Sequence, residues 1–384
     1  MLAGFAAFLD LYSTQPLLPM LARAFRASNF AVSLTVTAPT IAVALAAPAV
    51  GRLADRVGLR NVIVGSAFAL AAATLLAATA ANLRQLIVWR FLQGVVTPGL
   101  FASAVAYIHE EWPPSRAGRV TAAYVSGTVV GGVTGRLLGG VVANDVSWSS
   151  SFVVLGVIGL AAAGALWLWL PPEQRRGHSS RAGGGSWRSH LRHRQLLATY
   201  AVGFCMLCTQ LAMFTYVPFL LAAPPFSLST SALGLLFLTY IVGAITTPFA
   251  GRGIDAYGHR AVLVGALALC ASGALLTLIP SLSVVAAGLS IFATGVFCAQ
   301  AASSSHVAHH AERDRGLAIG LYASCYYAGG AVGGSIPAGF WAAGGWPACV
   351  AFIISVEIAM LAIAWRYWTP TSGETADLRF QIAD

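Results

Sequence analysis

Apolar runs of about 20 residues, the length that crosses a bilayer core as a helix, recur from one end of this chain to the other. They fall at 2–22, 32–50, 62–81, 85–107, 118–142 and 152–170, then at 195–221, 230–250, 261–279, 283–306, 316–340 and 346–367. A segment in lipid must satisfy its own backbone hydrogen bonds, so each run predicts a transmembrane helix and the chain an all-α membrane protein with twelve of them. Charge agrees with this: 9% of the 384 residues are charged and 58% hydrophobic, where a soluble domain carries about 25% charged residues. Twelve spans leave almost no soluble domain.

The net charge of +9 rests on 22 basic residues, all arginine. A basic chain can bind nucleic acid, but these arginines follow the membrane. With the N-terminus inside, seventeen lie in cytoplasmic loops or the tail and three, Arg23, Arg26 and Arg84, on the opposite face. That positive-inside bias predicts both termini in the cytoplasm, a lipid bilayer as the surrounding partner and no nucleic acid. The first span starts at Met1 without a basic leader and contains Asp10, so it reads as a retained helix and not a cleaved signal peptide; a start codon placed slightly late would explain the missing tail. Cys205, Cys208, Cys270, Cys298, Cys325 and Cys349 fall in apolar stretches and read as small core residues. His306, His309 and His310 have no acidic or cysteine partner at ligand spacing, so they read as a solvated loop, and no metal or cofactor is expected.

One long polar segment, "PPEQRRGHSSRAGGGSWRSHLRHR", divides the chain. It predicts an N-terminal six-helix bundle over 1–170, a cytoplasmic linker over 171–194, a C-terminal six-helix bundle over 195–368 and a cytoplasmic tail over 369–384. The halves repeat. A shift of 200 matches Gly51, Arg52, Asp55, Gly58 and Arg60 with Gly251, Arg252, Asp255, Gly258 and Arg260; a shift of 198 pairs Gly131, Gly132 and Gly135 with Gly329, Gly330 and Gly333. Two pseudo-symmetric bundles follow. "GRLADRVGLR" and "GRGIDAYGHR" then occupy equivalent cytoplasmic loops. In these, Gly51 and Gly58 permit a tight turn, the arginines meet cytosol or headgroups, and Asp55 faces the positive end of a neighbouring helix.

These residues resemble a known family. "GRLADRVGLR" is similar to the signature loop of the major facilitator superfamily, "RFLQG" at 90–94 to its span-four motif, and "DLYSTQPLLP" at 10–19 to a span-one motif. "LYSTQPLLP", "APPFSLS" and "GGVTGRLLGG" resemble the drug and sugar efflux branch related to arabinose-efflux permeases. The last string also resembles the glycine-rich antiporter motif at Gly131, Gly135, Gly139 and Gly140, but Arg136 stands where that motif has proline. The resemblance implies a fold whose halves rock about a central cavity, working as a monomer. It also implies that the two Gly-Arg loops act as latches: Asp55 meets the start of span eleven near Arg313 to Gly316, and Asp255 approaches span five near Arg116 to Gly118.

An ionisable group at the bilayer centre costs about 2.5–3.5 kcal/mol on insertion scales, so each needs a reason. Asp10 in span one can exchange protons near neutral pH, as proton coupling requires, or can serve as a structural partner for Arg90; Ser13 and Thr14 share its helix face. Arg90, Gln93 and Thr97 form a polar stripe on span four that should face an aqueous cavity; the resemblance gives Arg90 a part in proton coupling or substrate binding, and packing against carbonyls of neighbouring spans is the alternative. Arg136 can snorkel outward or reach Asp145, or bind substrate. Glu357 in the last span reads as an interhelical hydrogen bond or a protonated, silent group. Tyr12, Thr14, Gln15, Gln210, Phe214, Tyr240, Tyr322 and Tyr326 complete a cavity suited to a mid-sized organic molecule. No Walker loop is present, nor any nucleophile and base at catalytic spacing, so neither an ATP-driven pump nor an enzyme is expected. The sequence reads as a bacterial inner-membrane secondary transporter exporting a small organic molecule against protons. The rivals are proton-linked uptake of a sugar or organic anion, and a transporter-like sensor.

Overall fold

The computed structural model describes residues 1–173, 194–310 and 315–368; of the helical residues Asp55, Pro114, His310 and 315–317 only the backbone is described. The described residues form thirteen α-helices: α1 Leu2–Leu11, α2 Leu18–Ala24, α3 Asn29–Val57, α4 Leu59–Ala78, α5 Leu83–Glu111, α6 Pro114–Asp145, α7 Trp148–Trp169, α8 Arg194–Ala222, α9 Thr230–Leu235, α10 Thr239–Leu276, α11 Leu282–His310, α12 Arg315–Ser335 and α13 Pro337–Tyr367. Among the described residues nine helices are long and apolar enough to cross a membrane. One of these, Thr230–Leu276, turns back at Gly258 and makes two crossings. With the broken stretch 2–24 and Arg315–Ser335, the arrangement is consistent with twelve crossings. The outer helix faces present Leu45, Ile245, Phe249, Ile358 and Trp365, each more than 60% exposed, a surface that requires lipid around it.

The first span is broken where the run 2–22 predicts one continuous helix. α1 ends at Leu11, Gln15–Leu17 form a single 3-10 turn and α2 resumes at Leu18. Pro16 and Pro19 supply no N–H to the helical ladder. The break also removes the expected shared face of Asp10 and Thr14: Ser13 Oγ instead turns back and donates to the Asp10 carbonyl at 2.9 Å.

The charged loops are largely helical. α3 continues past residue 50 to Val57, and Gly51 and Gly251 lie within helices. Each reversal therefore rests on one glycine, Gly58 (φ +90°) or Gly258 (φ +80°), a conformation side chains avoid. Beyond the first turn, Arg60 Nε and Nη2 donate to the carbonyls of Leu170 and Trp167, both at 2.8 Å, and its backbone N–H donates to the Glu173 carboxylate at 2.6 Å. A cation thus caps the end of α7 and an anion the start of α4, the arrangement helix dipoles favour. In the second copy Arg260 lies over the Trp365 ring of α13 at 3.6 Å. Both arginines tie the loop to the last helix of their own half. Arg52 and Arg252 are exposed. Asp255 is exposed and has no hydrogen bond or ion pair among the described residues. The Asp55 side chain and residues 311–314 lie outside the described residues, and with them the pairing of Asp55 with Arg313.

Helices before residue 173 pack mainly on one another, as do those after 194. In the first group α1 crosses α6, and α5 lies between α3 and α4; in the second, α8 contacts α11, α12 and α13, and α10 contacts α11. The 198-residue glycine repeat is one crossing used twice. A methyl on Gly131 would strike the Phe5 carbonyl and one on Gly135 the Leu9 carbonyl; Gly329 and Gly333 on α12 lie in the same way against the Phe204 and Cys208 carbonyls of α8. Small residues permit this backbone approach in lipid.

The two groups meet toward the end of the molecule remote from residues 173 and 194, called here the far end. α3 meets α12, α6 meets α9, and α2 meets α8. A Cβ on Gly140 would stand 2.8 Å from the Thr230 carbonyl and one on Gly234 3.0 Å from the Arg136 carbonyl. Tyr216 completes the seam, its hydroxyl donating to the Gly334 carbonyl at 3.1 Å and to Ser33 Oγ at 3.3 Å. Closer to mid-depth, Phe101 of α5 stacks on Tyr327 of α12 with centroids 5.6 Å apart.

Candidate functional site

The polar residues of span four do not face an open cavity. Arg90, Gln93 and Thr97 are all buried inside the first group, because α5 turns this stripe toward the break in the first span. Arg90 Nη1 donates to the Asp10 carbonyl at 2.8 Å, Nη2 to the Leu11 carbonyl at 2.6 Å and Nε to the Thr35 carbonyl at 3.0 Å. Its Nη1 also reaches Gln93 Oε1 at 2.6 Å. The guanidinium thus takes up the Leu11 carbonyl that the end of α1 leaves without a donor and adds a bond to the Asp10 carbonyl, which Ser13 also reaches. Gln93 Nε2 goes on to Thr74 Oγ1 at 2.8 Å, and the Thr97 hydroxyl bonds back to the Gln93 carbonyl at 2.7 Å.

Asp10 lies at the rim of this network, 1% exposed. Its carboxyl has Arg90 as its nearest charge and the Thr74 hydroxyl beside it. Oδ1 has no hydrogen-bond partner among the described residues. A buried carboxyl with a free oxygen is a place where a proton can be held. Thr14 Oγ1 is likewise enclosed without a partner.

A second constellation lies between the two groups. Arg136 was expected to snorkel outward or reach Asp145; instead its guanidinium stays inside, 4% exposed. It sits 5.0 Å from the ring of Tyr12, 4.8 Å from Phe237 and 5.0 Å from Tyr240. Three aromatic faces make that position better than a long reach to the surface. Arg136 Nε donates to Gln15 Oε1 at 2.8 Å and Nη1 to the Gly132 carbonyl at 2.8 Å, while Gln15 Nε2 crosses to Thr215 Oγ1 at 3.3 Å. Gln210 joins the cluster, donating to the Tyr240 hydroxyl at 3.2 Å and accepting from Tyr326 at 3.4 Å. Phe214 packs on Tyr240 with centroids 4.6 Å apart, and Tyr322 stacks on Tyr326 at 6.0 Å.

The structure therefore gathers Tyr12, Gln15, Arg136, Gln210, Phe214, Tyr240 and Tyr326 at the interface and separates them from Asp10, Arg90, Gln93 and Thr97. Phe237, Thr215, Tyr216 and Tyr327 were not singled out by sequence. Spacing held a signal for one: Phe237 stands three residues before Tyr240, on the same helical face. His306 also departs from the solvated-loop reading. It is buried in α11, bonded through Nδ1 to Thr199 Oγ1 at 2.9 Å and stacked on Trp368 at 4.1 Å. Glu357 is buried with neither carboxyl oxygen hydrogen-bonded among the described residues, so the expected interhelical bond is not formed. A 520 Å³ cavity lies beside Met1, Tyr107, Trp112 and Trp169, within the first group and away from the interface.

Residues 1–237 and 204–381 match the family model described as Major Facilitator Superfamily. The chain belongs to this superfamily. It is 32% identical over 362 residues to the uncharacterized MFS-type transporter YybF of Bacillus subtilis (strain 168), covering 94% of this chain and 90% of that protein. It is 31% identical over 369 residues to the inner membrane transport protein YnfM of Escherichia coli (strain K12), covering 95% and 88%. Among solved structures, a bacterial homolog of the human lysosomal transporter Spinster, inward-facing and unoccupied, matches with TM-score 0.70 at 16% identity over 94% of this chain and 92% of that one. The same homolog, inward-facing and occupied, matches with TM-score 0.71 at 18% identity, covering 94% and 91%. The protein is thus a multi-pass membrane transporter with the superfamily's fold, and its relatives are transporters, not enzymes.

Proposed function

We propose that this transporter exports a small organic molecule across the bacterial inner membrane in exchange for protons, with Asp10 as the proton carrier. The observation that carries the reading is the Asp10 carboxyl, buried beside Arg90 with one oxygen unpartnered. Arg90 holds the broken first span and keeps Asp10 in place. The arginine bias puts the linker end in the cytoplasm, and the seam at the far end then closes the outer face. Rocking the two six-helix halves about a central cavity parts that seam and opens the interface outward, a proton reaches Asp10, and its neutralisation releases substrate or permits re-closure. The two Gly-Arg loops latch the inner face in the outward-open state, and the chain works as a monomer.

Proton-linked uptake of an organic anion is the second reading, favoured by Arg136, which has no carboxylate among its partners. Flux of a compound panel in proteoliposomes under an imposed pH gradient tests both. The export reading expects proton entry to drive compound in the opposite direction, and an uncoupler to stop it. Flux indifferent to the gradient rejects the coupling, and no flux for any compound favours a sensor.

A further inference from the structure

Buried guanidinium groups need either a compensating anion or a full set of acceptors. Arg90 has both, with four hydrogen bonds and Asp10 as its nearest charge. Arg136 has neither. It is nearly as deeply enclosed, 4% exposed, yet among the described residues the rings of Tyr12, Phe237 and Tyr240 face its charge and no carboxylate does. Of its nitrogens Nε and Nη1 are bonded, and Nη2 donates to nothing among the described residues. Three other carboxylates of the transmembrane helices lie elsewhere: Asp10 in the Arg90 network, Glu357 in α13 near Cys270, and Asp145 at the end of α6, where it accepts from Asn144.

We infer that Arg136 is the recognition point for a negatively charged group, a carboxylate, sulfonate or phosphate, carried on an aromatic body. The inference deepens the transport reading by naming a substrate class, and it rests on that reading. An anion approaching Nη2 supplies the missing countercharge, and carboxylates, sulfonates and phosphates all present a pair of oxygens that matches a guanidinium edge. The rings of Tyr12, Phe237, Tyr240 and Tyr326 supply faces for the aromatic body, and the amide of Gln210, held between Tyr240 and Tyr326, can meet polar substituents. An organic cation finds the box already occupied by a like charge.

The position also gives recognition a mechanical consequence. Tyr12, Gln15 and Gly132 belong to the first half, Phe237 and Tyr240 to the second, and Arg136 touches all five. An anion that draws the guanidinium away from Phe237 and Tyr240 loosens one half from the other. Binding and rocking are coupled at one side chain.

The test measures binding to the full chain in detergent, by thermal shift and titration calorimetry, with benzoate, benzenesulfonate, neutral benzamide and cationic benzylammonium as probes at millimolar concentration. Benzoate and benzenesulfonate should bind at least ten-fold more tightly than the other two. That preference should vanish in Arg136→Gln. In Arg136→Lys it should persist at lower affinity, and Arg84→Ala, exposed at the start of α5, should bind like the wild type. Equal binding of all four probes to the wild type overturns the inference without any variant having to fold, as does benzoate affinity unchanged in Arg136→Gln. Because no gradient exists in detergent, anion binding with absent proton-driven flux would strike the coupling reading alone; coupled flux of neutral or cationic compounds only would strike the anion site alone.

Discussion

Replacing Arg90 by methionine removes four hydrogen bonds, to the carbonyls of Asp10, Leu11 and Thr35 and to Gln93 Oε1, while keeping a side chain of good helix propensity. Interhelical hydrogen bonds in membrane proteins average about 0.6 kcal/mol, with a maximum of about 1.7. Three of the four run between helices, the Gln93 bond lying within α5, and three at the average predict a loss of about 1.8 kcal/mol, a roughly 20-fold fall in the folded-to-unfolded ratio at about 1.4 kcal/mol per tenfold. The Leu11 carbonyl, which has no other donor among the described residues, makes that a lower bound, since an unsatisfied buried polar group adds its own penalty. Arg90→Lys keeps the charge, but a compact ammonium cannot span acceptors on α1 and α3 together, so it should recover less than half the loss. Reversible unfolding in mixed micelles with increasing SDS reads both values. A loss below about 0.5 kcal/mol for Arg90→Met, within the scatter of an ordinary surface change, would refute the view that this arginine pins the broken span.

Other perturbations test separate parts of the account. Gly140→Val places side-chain atoms where even a Cβ would stand 2.8 Å from the Thr230 carbonyl; it should part the far-end seam, and a cysteine at Ser33 in a cysteine-free background should label faster with an impermeant maleimide. Unchanged labelling would mean the α6–α9 contact does not hold that face shut. Gly58→Ala forces a side chain into φ +90° and should cost about 1–3 kcal/mol, whereas Gly51→Ala, helical with open space around it, should be neutral or slightly stabilising in the same unfolding titration. Asp55→Asn should slow transport without abolishing substrate binding; unchanged transport and unchanged cysteine accessibility at both faces would remove the latch.

What the sequence disclosed and what it hid divide along local and long-range physics. Spans were legible because length and apolarity act residue by residue, and the glycine register was legible because each half needs the same close crossing. Pro16 and Pro19 announced the break in the first span, yet continuous apolarity masked it. The surroundings of Arg136 could not be read, because Phe237 and Tyr240 lie about a hundred residues away in sequence and meet it only through the α6–α9 contact. Arg90 stayed open between a cavity and packing on neighbouring carbonyls for a related reason: which side of α5 faces water depends on where α1 and α3 pack, and the carbonyl contacts are the ones formed. His306 read as solvated because nothing local indicates that Trp368 folds over it.

In the proposed cycle a proton held on Asp10 is the driving step. Wild type and Asp10→Asn are compared in proteoliposomes, with any compound the panel identifies, for flux driven by a pH gradient and for exchange of the compound without a gradient. Asp10→Asn is expected to lose the gradient-driven flux and keep the exchange. Gradient-driven flux of wild-type size in Asp10→Asn would contradict it.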